Sequence, residues 1–334
     1  MTESNDMSQN TNYDIKTMRY LGNKTKHLEF INSSMMECMN IIQNKSPIIF
    51  DAFGGSGSVS QFFNHNNYRV VSNDINNYSY NLCFSRNSIT HNDLSFEKLK
   101  MNMEEILVML NNCKCKGFIY KNYSPNLQLN HERKYFTNDN AEIIDGIRTQ
   151  IEEWFINKQI TDNEYKFLVA LLIECVSLYS NIPGTYGAFN TNWDPRSTKL
   201  LKIKIELVNN LLAKNKNQTF NCDVREIVNN VDCDILYLDP PYNGRDYSMY
   251  YHVLETISLY NNPELNDNKT GTKKIYNKSK WCIKTECKNE LEFLIQNTKA
   301  RCIILSYNNE GIMSINDIEK IFKKYGTYTV KKKY

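Results

Sequence analysis

The chain has 334 residues, of which 41% are hydrophobic and 23% charged, with a formal net charge of +3. These proportions describe a globular chain long enough for one large domain or a domain with a sizeable insertion. They exclude a helical membrane protein, because no apolar run approaches the length that crosses a bilayer. The polar start MTESNDMSQNTN lacks the basic-then-apolar pattern of a signal peptide, so residues 1–15 are expected to be a disordered tail of a cytoplasmic protein. The ten cysteines are expected to be reduced thiols. Cys113/Cys115 and Cys282/Cys287 do not make a paired CxxC pattern, so no metal site is expected.

Along the chain, PIIFDAF at 47–53 reads as a strand leading into GGSGSVS, and YRVVSNDIN at 68–76 reads as a second strand ending in an acid. With the helix-length segment between them they form a β–loop–helix–β unit, the opening of a doubly wound parallel sheet. Helical spacing of apolar residues follows over 96–110, 141–155 and 161–179. The last of these opens with the capping box Thr161-x-x-Glu164. Strand-like runs resume at QTFNCD, DILYLD and RCIILSY. The sheet is therefore expected to be interrupted by a mainly helical insertion at 96–215, and the sequence shows no internal repeat. Two stretches are basic. Residues 183–216 carry Arg196, Lys199, Lys202, Lys204, Lys214 and Lys216 against Asp194 and Glu206, and residues 266–288 carry seven lysines against Asp267 and Glu286. Such runs are as often solvated faces as binding surfaces.

Two stretches carry chemistry. In DAFGGSGS, Gly54, Gly55 and Gly57 allow a sharp turn and close approach of backbone to a ligand. Asp74 stands near the spacing of a ribose-binding acid. The pair fits NAD or S-adenosylmethionine equally. In DILYLDPPY, an apolar strand ends at Asp239 in a rigid Pro240-Pro241 turn with Tyr242 at its mouth. A carboxylate there, beside the Pro240 carbonyl, suits an exocyclic amine whose lone pair is delocalised into a base. Two acceptors on its N–H bonds favour a nucleophilic nitrogen and strengthen as positive charge develops. The Tyr242 ring offers a stacking face for that base.

These motifs resemble the Dam-like, alpha-group adenine-N6 DNA methyltransferases. The shared elements are RYLGNK at 19–24, DAFGGSGS at 51–58, NDIN at 73–76, DPPYNGRDYSMYYHVLETI at 239–257 and LSYNNEGI at 305–312, in that family's order. The resemblance implies a Rossmann-like S-adenosylmethionine-dependent methyltransferase sheet formed by 16–95 and 216–334, with 96–215 as a mainly helical target-recognition domain. It further implies methyl transfer to N6 of adenine in duplex DNA after base flipping. The setting would be the modification half of a restriction-modification system, with a separate cognate endonuclease and a monomeric or weakly dimeric enzyme. Cofactor contacts carry over to Tyr20, Lys24 (a partner for the cofactor's carboxylate), Asp51, Phe53, Gly54, Gly55, Gly57, Asp74 and Asp223. The catalytic tetrapeptide carries over to Asp239, Pro240, Pro241 and Tyr242. RKYFTNDNA and PGTYGAFNTNWDPR also resemble a branch of modification methylases, some of which act on CATG.

For DNA, the mixture of Tyr186, Asn190, Asn192, Trp193, Arg196 and Lys199 offers stacking, base-edge and phosphate contacts. Arg245 and Tyr247 follow the catalytic turn, and Arg19 lies in the N-terminal motif. Three other readings stay open: an NAD-dependent oxidoreductase, an RNA adenine methyltransferase, and a catalytically impaired homologue that still binds DNA. The last follows from the chain's end. The family's sheet places a final antiparallel strand between the strands matching Cys302–Ser306 and Thr327–Lys333. The sequence stops at Tyr334, so that strand is expected to be missing, leaving an unpaired edge.

Overall fold

A computed structural model describes residues 18, 20–125, 132–276 and 278–333. Its centre is a parallel sheet of β1 (Ile48–Asp51), β2 (Arg69–Asn73), β3 (Gln218–Phe220), β4 (Ile235–Leu238) and β5 (Cys302–Leu305), in the order β3-β2-β1-β4-β5. Every one of these strands falls within a run read as strand from the sequence. Alternate residues face opposite sides of a strand, and the sheet is covered on both. Ile49, Val70, Ile235 and Tyr237 pack under α1 (Leu28–Ile42) and α2 (Ser58–His65). Phe50, Leu236 and Leu238 share a core with α9 (Val224–Ile227), α12 (Cys287–Asn297) and α13 (Ile315–Lys323). Burial on both faces explains why the central strands read as continuous apolar runs.

The segment between β2 and β3 is helical: α3 (Asn77–Ser88), α4 (Met103–Asn111), α5 (Phe118–Tyr123), α6 (Asn138–Ile156), α7 (Asp162–Tyr179) and α8 (Ile205–Leu211). The capping box at Thr161 and Glu164 forms as expected. The helix expected from Phe96 starts only at Met103. Phe96 and Lys100 have positive φ, which breaks the helical path, and Asn102 caps the new start in a box with Glu105. Residues from this segment share one core with α3 and with α11 (His252–Leu259), which follows the short α10 (Tyr247–Tyr250).

At the other end of the sheet β5 is the outer strand among the described residues. Residues 327–333, expected to be a strand, carry none. This segment reaches α1 and the turn before it through its lysines. Lys331 pairs with Glu37 at 2.5 Å, and the Lys333 Nζ donates to the Lys26 carbonyl at 2.9 Å. The expectation of uniformly reduced thiols is corrected at one place. Cys38 of α1 and Cys302 of β5 are joined in a disulfide, with Cα atoms 5.9 Å apart. A separation of 264 residues left no trace of this pairing in the spacing. The other eight cysteines are free.

One buried ion pair ties the helical segment to the sheet's ligand-facing edge. Arg86 on α3 and Glu174 on α7 meet at 2.9 Å with essentially no exposure, and the same guanidinium donates to the Ser56 carbonyl at 2.5 Å. Removing one partner of such a pair leaves a buried charge unmatched. Glu174→Gln is therefore expected to lower unfolding free energy by about 3–5 kcal/mol in denaturant titrations. A loss below about 0.5 kcal/mol, the range of an ordinary surface substitution, would show that the pair does not hold the segment.

Candidate active site

Parallel strands present all their carboxyl ends at one edge, and the order of this sheet reverses between β1 and β4, where open α/β sheets bind ligands. A cavity of about 830 Å³ lies there. Its walls include Tyr20, Lys24, Phe53, Gly54, Gly55, Asp74, Asp223, Asp239 and Pro241, so nine of the thirteen residues selected as catalytic or cofactor-binding converge.

The glycine loop follows β1. Gly54 N–H donates to the Asn73 carbonyl at 2.8 Å, which fastens the loop to the end of β2. Gly55 has φ +55°, and a Cβ there would stand 3.0 Å from the Tyr20 ring. Gly57 has φ +78° and starts α2. Both positions favour glycine because an L side chain is strained in that region. Asp74 braces the loop: one carboxylate oxygen accepts from Gly55 N–H at 2.9 Å and the other from Asn76 N–H at 2.9 Å. Burial raises its pKa, and these amide donors oppose the rise.

Asp239 ends β4 with its side chain 16% exposed. Lys24 Nζ stands 2.7 Å from one of its oxygens and donates to the Tyr242 hydroxyl at 2.5 Å and the Gly22 carbonyl at 2.8 Å. The Tyr242 hydroxyl donates to the other Asp239 oxygen. Burial raises the Asp239 pKa, and Lys24 pulls it back. Lys24, expected to partner the cofactor's carboxylate, lines the cavity and also meets Asp239, because the N-terminal segment folds back over the end of β4. Tyr242, expected as a stacking face for a base, is off the cavity wall; its hydroxyl joins this network and its ring packs edge-on against Tyr307 at 5.3 Å.

The remaining selected residues divide by burial. Asp51 does not reach the cavity wall. It is 1% exposed and accepts from the Ser60 hydroxyl at 2.6 Å, so it lies behind the glycine loop as a support. Gly57 and Pro240 are likewise off the wall. Tyr186, expected at the DNA surface, is fully buried. Its ring stacks 6.1 Å from Tyr135, and its carbonyl accepts from the Tyr135 hydroxyl at 2.8 Å. Asn190 is occupied inside its loop, where its carbonyl accepts from Asn181 Nδ2 at 3.0 Å. Asn192, Arg196, Lys199 and Arg245 are exposed, and Trp193 is half-buried; Arg196 pairs with Asp194. Tyr247 is on the wall, its hydroxyl donating to the Leu21 carbonyl at 3.3 Å. Arg19 lies outside the described residues.

Sequence reasoning missed two supports. Tyr251 stacks on Tyr20 at 4.8 Å and accepts from Leu21 N–H at 2.6 Å, which fixes the returning N-terminal segment. Glu255 lines the cavity and accepts from the Asn77 and Tyr78 amides at 3.2 and 3.0 Å, capping α3. Both stand in the stretch 239–257 that carried the resemblance, but neither spacing nor residue type marked them.

The D12 class N6 adenine-specific DNA methyltransferase family matches residues 20–321. Type II methyltransferase M.FokI of Planomicrobium okeanokoites is 38% identical over 326 residues, covering 94% of this chain and 48% of that protein. M.NlaIII of Neisseria lactamica is 34% identical, covering 93% and 89%. Modification methylase LlaI of Lactococcus lactis subsp. lactis is 35% identical, covering 92% and 49%. The chain thus spans about half the length of the first and third of these relatives.

Burial raises the Asp51 pKa to about 7, against the opposing hydrogen bond from Ser60. Between the ordinary carboxylate value and about 7, the folded chain holds a proton at Asp51 that the unfolded chain has released. Raising pH through that window therefore destabilises the fold. Wild type is expected to lose more melting temperature than Asp51→Asn between pH 5 and pH 8. Parallel pH profiles for the two proteins would place no buried proton at Asp51.

Proposed function

We propose that this chain, which belongs to the D12 class of N6 adenine-specific DNA methyltransferases, transfers a methyl group from S-adenosylmethionine to the exocyclic amine of adenine in duplex DNA. Its setting would be the modification side of a restriction-modification system. The observation that carries this reading is one cavity that brings the glycine loop and Asp74 into the same space as the Asp239 turn. The positive φ of Gly55, which lets bare backbone line the wall, fits a nucleoside lying close against it. Asp74 is the group for the ribose hydroxyls, and Tyr20 and Phe53 are apolar walls. Asp223, exposed at the rim and lining the cavity, suits the adenine end. The bound cofactor supplies an electrophilic methyl on a sulfonium centre.

The chain's own residues act on the amine. Asp239 accepts one N–H; Pro240 is itself off the wall, but its carbonyl, in the proline turn between the wall residues Asp239 and Pro241, is the proposed acceptor of the other. These contacts favour a tetrahedral nitrogen and gain strength as it becomes positive. Lys24 and Tyr242 position the Asp239 carboxylate through the contacts described above. The target amine is out of reach in a base-paired stack, so the adenine must be flipped. Residues 96–215 are the proposed DNA-recognition part. Asn192, Trp193, Arg196, Lys199 and Arg245 remain its proposed contacts, with Tyr247 at the cavity. An oxidoreductase reading leaves the Asp239 turn without a task.

Incubation of the protein with labelled S-adenosylmethionine and duplex DNA, followed by sequencing for methylated adenine, tests the proposal. N6-methyladenine within one fixed sequence is expected, and label on RNA alone would overturn it. Asp239→Ala is expected to reduce transfer by at least about 10²–10³-fold, the loss typical of one preorganised polar group. Cofactor affinity should stay within a few-fold, and turnover near wild type would remove Asp239 from the chemistry. Asp74→Ala is expected to raise the Kd for S-adenosylmethionine by about tenfold or more, since a hydrogen bond to a charged group contributes about 1.5–3 kcal/mol. Unchanged affinity by calorimetry would remove Asp74 from the cofactor site.

A further inference from the structure

The second basic stretch of the sequence, 266–288, lies at the mouth of the cavity and has no part in the machinery above. It begins as a small hairpin. Leu265 and Lys273 form an antiparallel bridge, Asn266 N–H donates to the Thr272 carbonyl at 2.7 Å, and Lys274 N–H donates to the Glu264 carbonyl at 2.9 Å. Side chains from the helical segment hold the hairpin. The Arg133 guanidinium donates to the Asn268 carbonyl at 3.1 Å and the Asn266 carbonyl at 3.3 Å. The Tyr123 and Tyr135 hydroxyls donate to the Gly271 and Thr270 carbonyls at 3.0 and 3.1 Å. Gly271 has φ +61°, and a Cβ there would meet the Arg133 guanidinium at 2.6 Å, so glycine is favoured at this approach. On its far side the stretch is tied to the loop that follows the Asp239 turn and to the segment after β1. Ser279 N–H donates to Asp246 at 2.5 Å, and Trp281 packs edge-on against Phe53 at 5.1 Å.

Between these two anchors, Lys273, Ile275, Tyr276, Lys278 and Lys280 line the cavity mouth. Ile275 is 87% exposed and Tyr276 44% exposed, and Lys278 and Lys280 are exposed. A solvated lysine face requires neither anchor points on two separate parts of the fold nor apolar side chains at its tip. We infer that this stretch is a phosphate-gripping arch, which holds the backbone of duplex DNA at the cavity mouth with Lys278 and Lys280 while Ile275 packs on the sugars beside the flipped nucleotide. The charge complementarity is with a polyanion, and the anchoring through Arg133 and Tyr135 sets the arch in register with residues 96–215.

The inference rests on the function proposed above, and one titration separates the two. The full chain is titrated onto a fluorescently labelled duplex at several salt concentrations, with wild type, Lys278→Ala/Lys280→Ala, Ile275→Ser and, as a remote control on α13, Lys320→Ala/Lys323→Ala. Each phosphate contact contributes about 0.9 to the slope of log affinity against log salt, so the arch double variant should lose roughly 2 from that slope. Its affinity should fall about equally on all duplex sequences. Its melting temperature and its S-adenosylmethionine affinity should match wild type. Ile275→Ser should weaken binding without changing the slope. An arch variant with wild-type slope, or a control variant with the same loss, would overturn the inference while leaving the methyltransferase reading intact. A wild-type protein with no affinity for duplex DNA would overturn both.

Discussion

Three carboxylates end, or immediately follow, three adjacent parallel strands: Asp51 on β1, Asp74 after β2 and Asp239 after β4. The topology places them at one edge, and burial pushes each toward its protonated form. The surrounding structure answers that crowding. Asp74 is met by glycine-loop and helix amides, Asp51 by a serine hydroxyl, and Asp239 by an ammonium group brought from the N-terminal segment. The glycine loop thus both lines the cavity and supplies an amide donor to a carboxylate. Lys24 likewise orients the Asp239 carboxylate while countering its charge.

The N-terminal segment can supply that lysine because aromatic rings hold it. Tyr20 sits among Tyr78, Tyr247 and Tyr251, with the Tyr251 hydroxyl fixing the Leu21 amide. Tyr251 belongs to the polypeptide just after the catalytic turn, so the turn and the segment that feeds it are positioned by the same few residues. Nearby His252 is fully buried between the Tyr186 carbonyl and the Tyr123 ring, and its pKa is pushed down to about 3 by desolvation. It is a neutral packing group that keeps α11 against the helical segment.

That segment is joined to the catalytic edge through buried polar contacts as well as apolar packing. Arg86 reaches both Glu174 and the glycine-loop carbonyl of Ser56. Gln61 on α2, which follows the glycine loop, donates from Nε2 to the Asn210 carbonyl of the helical segment at 2.8 Å. Such contacts leave little freedom for the helical segment to move independently of the loop that lines the cavity, because each displacement would strand a buried polar group.

All five strands, the glycine loop, Asp74 and the Asp239 turn were legible in the sequence, because short-range physics writes them: apolar runs, glycines at positive φ and prolines that stop a strand. The start of α4 was not, since positive φ at Phe96 and Lys100 leaves no compositional mark. Residue type placed Tyr186, and the resemblance placed Asp51, where a ligand would be, but exposure is decided by what packs on a side chain from far along the chain, and tertiary packing buried both. The pairing of Lys24 with Asp239 across the chain, the meeting of Cys38 with Cys302 and the suspension of the lysine arch between Arg133 and Asp246 were likewise decided only by the fold. Each depends on a distance in space between residues far apart in sequence, and spacing along the chain carries no record of it.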